Sequence, residues 1–160
     1  MSNSDAETCL EMLRTQNKII EDGNHEMAYL LFNAVDGNNI REQVKATHAP
    51  EDVTKVLNEA AVVAECVLVK LENFIKDHKE KMEKATSLKT LVLLLKPLEE
   101  SIKMAGPENK KLPYEWRERV SLILKMMGAI FPMAKQPKVN VPNSLLESFI
   151  SLYLLCDKDF

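Results

Sequence analysis

Apolar residues recur along the chain at steps of three and four, the spacing typical of an α-helix that buries one face. The longest such run follows Pro50, and its main seam comprises Val53, Leu57, Ala60, Ala64, Val67, Leu71, Phe74 and His78. A second stripe beside it comprises Ala61, Leu68, Ile75 and Met82. Together they widen the apolar face beyond a two-stranded coiled-coil seam. The pattern predicts one long, buried helix over 50–84, roughly 50 Å long at 1.5 Å per residue.

Three later runs predict helices over 87–105, 113–131 and 143–157. Pro97 lies inside the first and predicts a kink, because proline removes one backbone hydrogen bond. Pro132 predicts the end of the second.

Short helices are predicted before residue 50, separated by a repeated Asp-Gly-Asn. Both copies, Asp22-Gly23-Asn24 and Asp36-Gly37-Asn38, predict a helix end with a left-handed glycine followed by an asparagine that caps the next helix.

These elements predict an all-α, single-domain bundle of about seven helices built around a long central helix. The single domain spans 1–160, with short N-terminal helices over 1–49 and the main helical bundle over 50–160. A chain of 160 residues is long enough for one substantial core.

The net charge of −3 is unevenly distributed. Residues 1–60 have a balance of −6, whereas residues 106–140 have a balance of +4. This asymmetry can orient partners, but it is weaker than the basic face of a dedicated nucleic-acid-binding protein.

The three cysteines, Cys9, Cys66 and Cys156, are widely separated and lie in apolar helical patterns. They predict buried free thiols in a reducing compartment. The N-terminus shows no secretory signal, and no apolar run reaches the roughly 20 residues of a membrane-spanning helix. We therefore expect an intracellular, soluble protein of the cytoplasm or nucleus with no membrane association.

The sequence contains no recognisable catalytic or metal-binding motif. Four scattered glycines make no phosphate-binding loop, and the three histidines have no second ligand at helical spacing. The loop that begins at Asp36-Gly37-Asn38 lacks the sixth-position glycine and the twelfth-position glutamate of a calcium-binding loop. Adjacent acids such as Glu99 and Glu100 point in different directions from one helix. We expect no enzyme activity, no cofactor and no metal.

Three features are candidates for partner binding. The final helix is apolar on nearly every side, with Leu145, Phe149, Leu152 and Cys156 on one face and Leu146, Ile150 and Tyr153 on another. It is either a central bundle helix or a dimer interface. A methionine cluster, Met126, Met127 and Met133, either fills the core or lines an adaptable groove.

The third candidate is the group around the single tryptophan. Trp116 heads the apolar face of its helix and is expected to anchor the core, while Arg117, Arg119, Lys135 and Lys138 are candidate partner contacts.

The leading hypothesis is a non-enzymatic protein–protein interaction module, an adaptor or scaffold that can form a homodimer through its C-terminal helix. The predicted partner-binding residues are Trp116, Arg117, Arg119, Lys135, Lys138, Leu145, Phe149, Leu152 and Tyr153. The alternative is a nucleic-acid-binding or regulatory helical domain that uses the basic segment 110–138. A helical pocket for a hydrophobic small molecule is a third possibility.

Overall fold

The computed structural model describes residues 3–78, 85–134 and 143–156, and every regular element in these ranges is an α-helix. The prediction of an all-α bundle of seven helices is confirmed. The helices are α1 (Asn3–Glu21), α2 (His25–Asn33), α3 (Gly37–Thr47), α4 (Pro50–Asp77), α5 (Ala85–Ala105), α6 (Trp116–Ala134) and α7 (Asn143–Cys156). One hydrophobic core runs from Ala6 in α1 to Leu152 in α7, so the helices form a single domain.

The long helix α4 packs against α1, α3 and α5. Pro50 is its first residue and Glu51 and Asp52 lie in its first turn, where acids complement the helix dipole. Both apolar stripes of the pattern contribute to the core, and Val56 and Val63, on the other side of the main seam from the second stripe, are also buried. α4 ends at Asp77, before the predicted residue 84, and His78 caps it through a backbone hydrogen bond to Phe74.

The two Asp-Gly-Asn turns differ in structure. Gly23 has a φ of 81° and Asn24 accepts a hydrogen bond from the Met27 amide, as predicted. At the second copy the prediction is wrong, because Asp36 caps α3 and Gly37 is the first residue of that helix. Gly37 is needed there for a different reason, namely its contact with α5.

The contact between α3 and α5 leaves no room for a side chain at Gly37. An added Cβ would overlap the backbone oxygen of Glu100 and lie 2.9 Å from the backbone nitrogen of Met104. The Gly37 amide donates a 2.8 Å hydrogen bond to the buried Glu100 carboxylate. Arg41, one turn further along α3, donates to the Lys103 carbonyl oxygen. The first turn of α3 is therefore held directly on the α5 backbone.

Two adjacent, buried glutamates of α5 point to different neighbours. Glu100 accepts from α3 and lies 3.1 Å from the Lys96 ammonium. Glu99 faces α7, accepting a 2.8 Å hydrogen bond from Ser151 and a 2.6 Å hydrogen bond from Lys103. Each buried carboxylate lies near a lysine and accepts a further hydrogen bond, and these contacts offset the free-energy cost of burying its charge. We call this group the α5 ion network.

Two boundaries at α6 differ from the prediction. Pro113 was expected in the first turn of this helix, but α6 begins at Trp116 because Glu115 has a left-handed φ of 51°. Pro132 was expected to end the helix, yet α6 continues to Ala134. Pro97 lies inside α5, as predicted.

Gly37→Ala is expected to destabilise the protein by about 1–3 kcal/mol, because the new methyl group must push α3 away from α5. Gly128→Ala is the matched control: it also lies within a helix, but its added Cβ has no heavy atom within 4 Å. The control should be neutral or slightly stabilising. Urea unfolding of both variants measures the difference, and equal stabilities would contradict the close contact.

Glu99→Gln is expected to make stability less dependent on pH. Burial alone would raise the pKa of the Glu99 carboxyl, but hydrogen bonds from Lys103 and Ser151, with the charges of Lys103 and Lys96, lower it overall. A pKa lowered by folding stabilises the protein above the unfolded pKa, and this stabilisation is lost as pH falls through the folded pKa.

The Glu99→Gln variant should therefore be less stable than wild type at pH 7, by about 1–3 kcal/mol, because its hydrogen bonds from Lys103 and Ser151 no longer go to a charged acceptor. The difference should shrink as pH falls below about 4.3, the usual pKa of glutamate. Thermal melts from pH 7 to pH 3.5 test this, with the exposed Glu11→Gln as control. A difference that stays constant over this range would show that the Glu99 charge contributes nothing.

Candidate functional site

A groove of about 870 Å³ lies between α6 and α7. Its apolar lining includes Leu122 and Leu124 of α6 and Phe149 and Tyr153 of α7, and charged residues of α6 border it. The charges of Arg117 and Glu118 act on Cys156, so the start of α6 lies beside the end of α7. The two helices are therefore antiparallel along the groove.

An exposed apolar ridge on α7 adjoins this groove. It comprises Leu146, Ile150, Tyr153 and Leu154, which share one side of the helix because of their spacing. Ile150 is 57% exposed, Tyr153 50% and Leu154 54%. Tyr153 belongs to both ridge and groove, and Leu122 on the opposite wall is 61% exposed. We call the groove, Leu122 and this α7 ridge together the α6–α7 face.

The opposite side of α7 fixes the helix on the core. Leu145 and Leu152 are fully buried, and Ser148 is also buried. The Ser151 hydroxyl donates to Glu99 of the α5 ion network. One side of α7 is thus bundle core, as the first alternative predicts, and the other side is exposed.

The predicted partner residues of α7 are divided by this arrangement. Leu145 and Leu152 are covered by the chain's own core and offer no surface to a partner. Phe149 is half-buried in the groove, and Tyr153 is exposed at its edge. Leu122 and Leu154 were missed. Leu122 lies off the apolar face that Trp116 heads in α6, so its spacing indicated a surface position, whereas nothing in the sequence separates Leu154 from core residues because apolar side chains surround α7.

Trp116 is only 5% exposed and belongs to the core, as its place on the apolar face predicted, so it offers almost no surface for the partner binding that was also predicted for it. Arg117 lies over its indole ring, with the guanidinium carbon 4.6 Å from the ring centroid. The same guanidinium donates to the Pro107 carbonyl and to Glu108, each at 3.0 Å. Arg117 therefore joins the loop before α6 to the first turn of that helix.

Arg119 forms a two-pronged ion pair with Glu72 of α4, with its Nε 3.0 Å from the carboxylate. The pKa of Arg119 is raised, chiefly by this hydrogen bond and despite partial burial. The pair ties α6 to α4. Because Arg117 and Arg119 both have carboxylate partners within the chain, they offer less free positive charge than the sequence implied.

The remaining candidate residues of the segment 110–138 lie in different environments or outside the described residues. Lys110 and Lys111 are exposed in the loop before α6, whereas Lys135 and Lys138 lie outside the described residues. Met127 is buried in the core, and Met126 packs against it. Nucleic-acid binding by this segment stays a prediction of the sequence.

Cys156 lines the groove, and the pKa of its thiol determines how reactive it is there. Burial is the main cause that raises the pKa of this thiol to about 11, and the nearby Arg117 only partly offsets it. Burial likewise raises the pKa of Cys66. A thiol whose pKa is raised is protonated at neutral pH and is a poor nucleophile. The cysteines are half-buried, less deeply placed than predicted.

No cluster of three metal-ligating side chains occurs among the residues that the structure describes. Within the same ranges, no helix combines the length and apolarity needed to cross a membrane. The residues that line the groove present apolar surface and scattered charges to a ligand.

Alkylation of Cys156 by iodoacetamide is expected to be slow in the folded protein. At pH 8 a thiol with a pKa of about 11 has on the order of 100-fold less thiolate than a free cysteine. Mass spectrometry of peptides separates Cys156 from the other two cysteines, and urea-unfolded protein is the control. A folded-state rate that levels off below pH 9 would contradict the raised pKa.

Comparison with known proteins gives no relative for this arrangement: no protein family matches the chain, and no curated protein or solved structure is similar to it.

Proposed function

We propose that this protein is a non-enzymatic protein–protein interaction module, an adaptor or scaffold, that binds its partner at the α6–α7 face. The observation that carries the proposal is the α7 ridge beside a groove. The ridge and the apolar residues of the groove meet at Tyr153 and form one apolar surface, bordered by Arg117, Glu118 and Lys125. Single exposed apolar side chains are normal on proteins, but contiguous patches mark interaction sites.

The composition of this face favours a protein partner over a reaction. Large apolar side chains with an aromatic residue at the centre and charges at the rim are typical of protein interfaces. The protonated Cys156 thiol supplies no nucleophile to the groove. A helix with apolar residues at steps of three and four can insert into such a groove.

Exposed apolar residues also occur on α2, where Met27, Leu30 and Leu31 reach the surface. The α6–α7 face differs because its ridge continues through Tyr153 into a groove that can surround a side chain or a helix. Concave, apolar surface excludes water from a contact more completely than a flat patch does. We expect the module to act in the cytoplasm or nucleus, where separated cysteines remain reduced.

Ile150→Glu is expected to abolish partner binding, because a buried, unpaired carboxylate in the contact would weaken binding by tenfold or more. Immobilised wild-type protein and the variant are compared for the proteins they retain from the native extract. Val62→Glu is the matched control, since Val62 is an exposed apolar residue of α4. Circular dichroism melts confirm that both variants fold.

The proposal requires proteins that wild type and Val62→Glu retain and that Ile150→Glu loses. If all three retain the same proteins, or if wild type retains none and does not self-associate, the α6–α7 face is not a binding surface.

A further inference from the structure

The α6–α7 face has the shape of a surface that fits itself. A convex feature, the α7 ridge, lies directly beside a concave one, the groove. Closed dimers use the same patch on both chains, so such a patch must carry both a projection and the recess that receives it. A two-fold axis parallel to the helix pair would place the ridge of each chain over the groove of the other.

The charges of the face agree with this arrangement. The ridge is uncharged at its centre, so two copies meet there without repulsion between like charges. Exposed rim residues have both signs, with Lys125 on α6 and Glu118 and Glu147 on α6 and α7. A face dominated by one sign would repel its own copy and select an oppositely charged partner instead.

One rim contact follows from the antiparallel helices. Arg117 and Glu118 lie near Cys156, and Lys125 lies eight residues after Arg117 while Glu147 lies nine residues before Cys156. Lys125 and Glu147 are therefore at a similar level along the helix pair, on opposite edges of the face. The two-fold axis described above brings Lys125 of one chain opposite Glu147 of the second copy.

The exposed surface of the face is small for a dimer. The α7 ridge and Leu122 expose on the order of 500 Å², and the groove walls add too little to reach the roughly 800 Å² that each partner contributes to a standard interface. A ridge that enters the groove brings more of this surface into contact than two ridges that touch flatly, so the arrangement predicts a weak dimer.

From these observations we infer that the partner at the α6–α7 face is a second copy of this chain, docked ridge into groove about a two-fold axis. The inference rests on the proposed function, because it names the occupant of the same surface. Ile150, Tyr153 and Leu154 enter the groove of the second copy, and the Lys125–Glu147 contact sets the register.

Sedimentation equilibrium and light scattering from 1 to 100 μM test the inference. Wild type and Val62→Glu should approach twice the chain mass of 18.2 kDa, whereas Ile150→Glu should remain at the single-chain mass. The melting temperature of wild type should rise with protein concentration, and that of Ile150→Glu should not. Leu154→Arg is a second variant with the same expected result, in case Ile150→Glu fails to fold.

Charge reversal tests the register separately from the apolar contact. Lys125→Glu and Glu147→Lys should each weaken the dimer by about 2- to 30-fold, because the two-fold axis makes each exposed ion pair occur twice. The double variant should regain wild-type affinity. Weakening without recovery in the double variant would overturn the proposed register.

The outcomes separate this inference from the proposed function. A monomer at 100 μM, or a dimer that Ile150→Glu and Leu154→Arg leave intact, overturns self-association through this face. If the wild type is a monomer but Ile150→Glu still loses proteins retained from the extract, the interaction module stands with a different partner. If neither self-association nor retention depends on Ile150, both proposals fail.

Discussion

The close contact between α3 and α5 is the constraint on which the arrangement of the bundle depends. Two helix backbones approach closely enough only where one side chain is absent, and Gly37 supplies that position. The same approach leaves the first amide of α3 without water, and the Glu100 carboxylate accepts its hydrogen bond. A carboxylate so deeply buried would be costly alone, and Lys96 and Lys103 balance its charge.

The neighbouring glutamate, Glu99, connects the other side of α5 to α7. Glu99 shares Lys103 with Glu100 but faces α7, where it accepts from Ser151. The hydrogen bond sets the rotation of α7 about its own axis together with the buried Leu145 and Leu152. Because α7 is apolar on nearly every side, its packing partners, and not its own pattern, determine which residues remain at the surface.

The rotation of α7 about its axis determines which of its residues form the exposed α6–α7 face. Once Leu145 and Leu152 face the core, Ile150 and Leu154 must face outward beside the groove. The arginines of α6 take part in holding this surface, since Arg119 ties the helix to α4 and Arg117 ties its start to the preceding loop. The polar residues around Trp116 thus serve the fold, and the open apolar residues are the ones available for recognition.

The sequence by itself determined the helical class, the place of α4 and the burial of Trp116, because these follow from local periodicity and the free energy of burying apolar side chains. Periodicity also identified the two apolar sides of α7, but it could not show which side is buried because both are equally apolar. Only the tertiary structure decided which side is core, that Gly37 serves a close helix contact and that Glu99 and Glu100 are paired with lysines. Those outcomes depend on distances between residues up to 63 positions apart, and local spacing contains no information on such contacts.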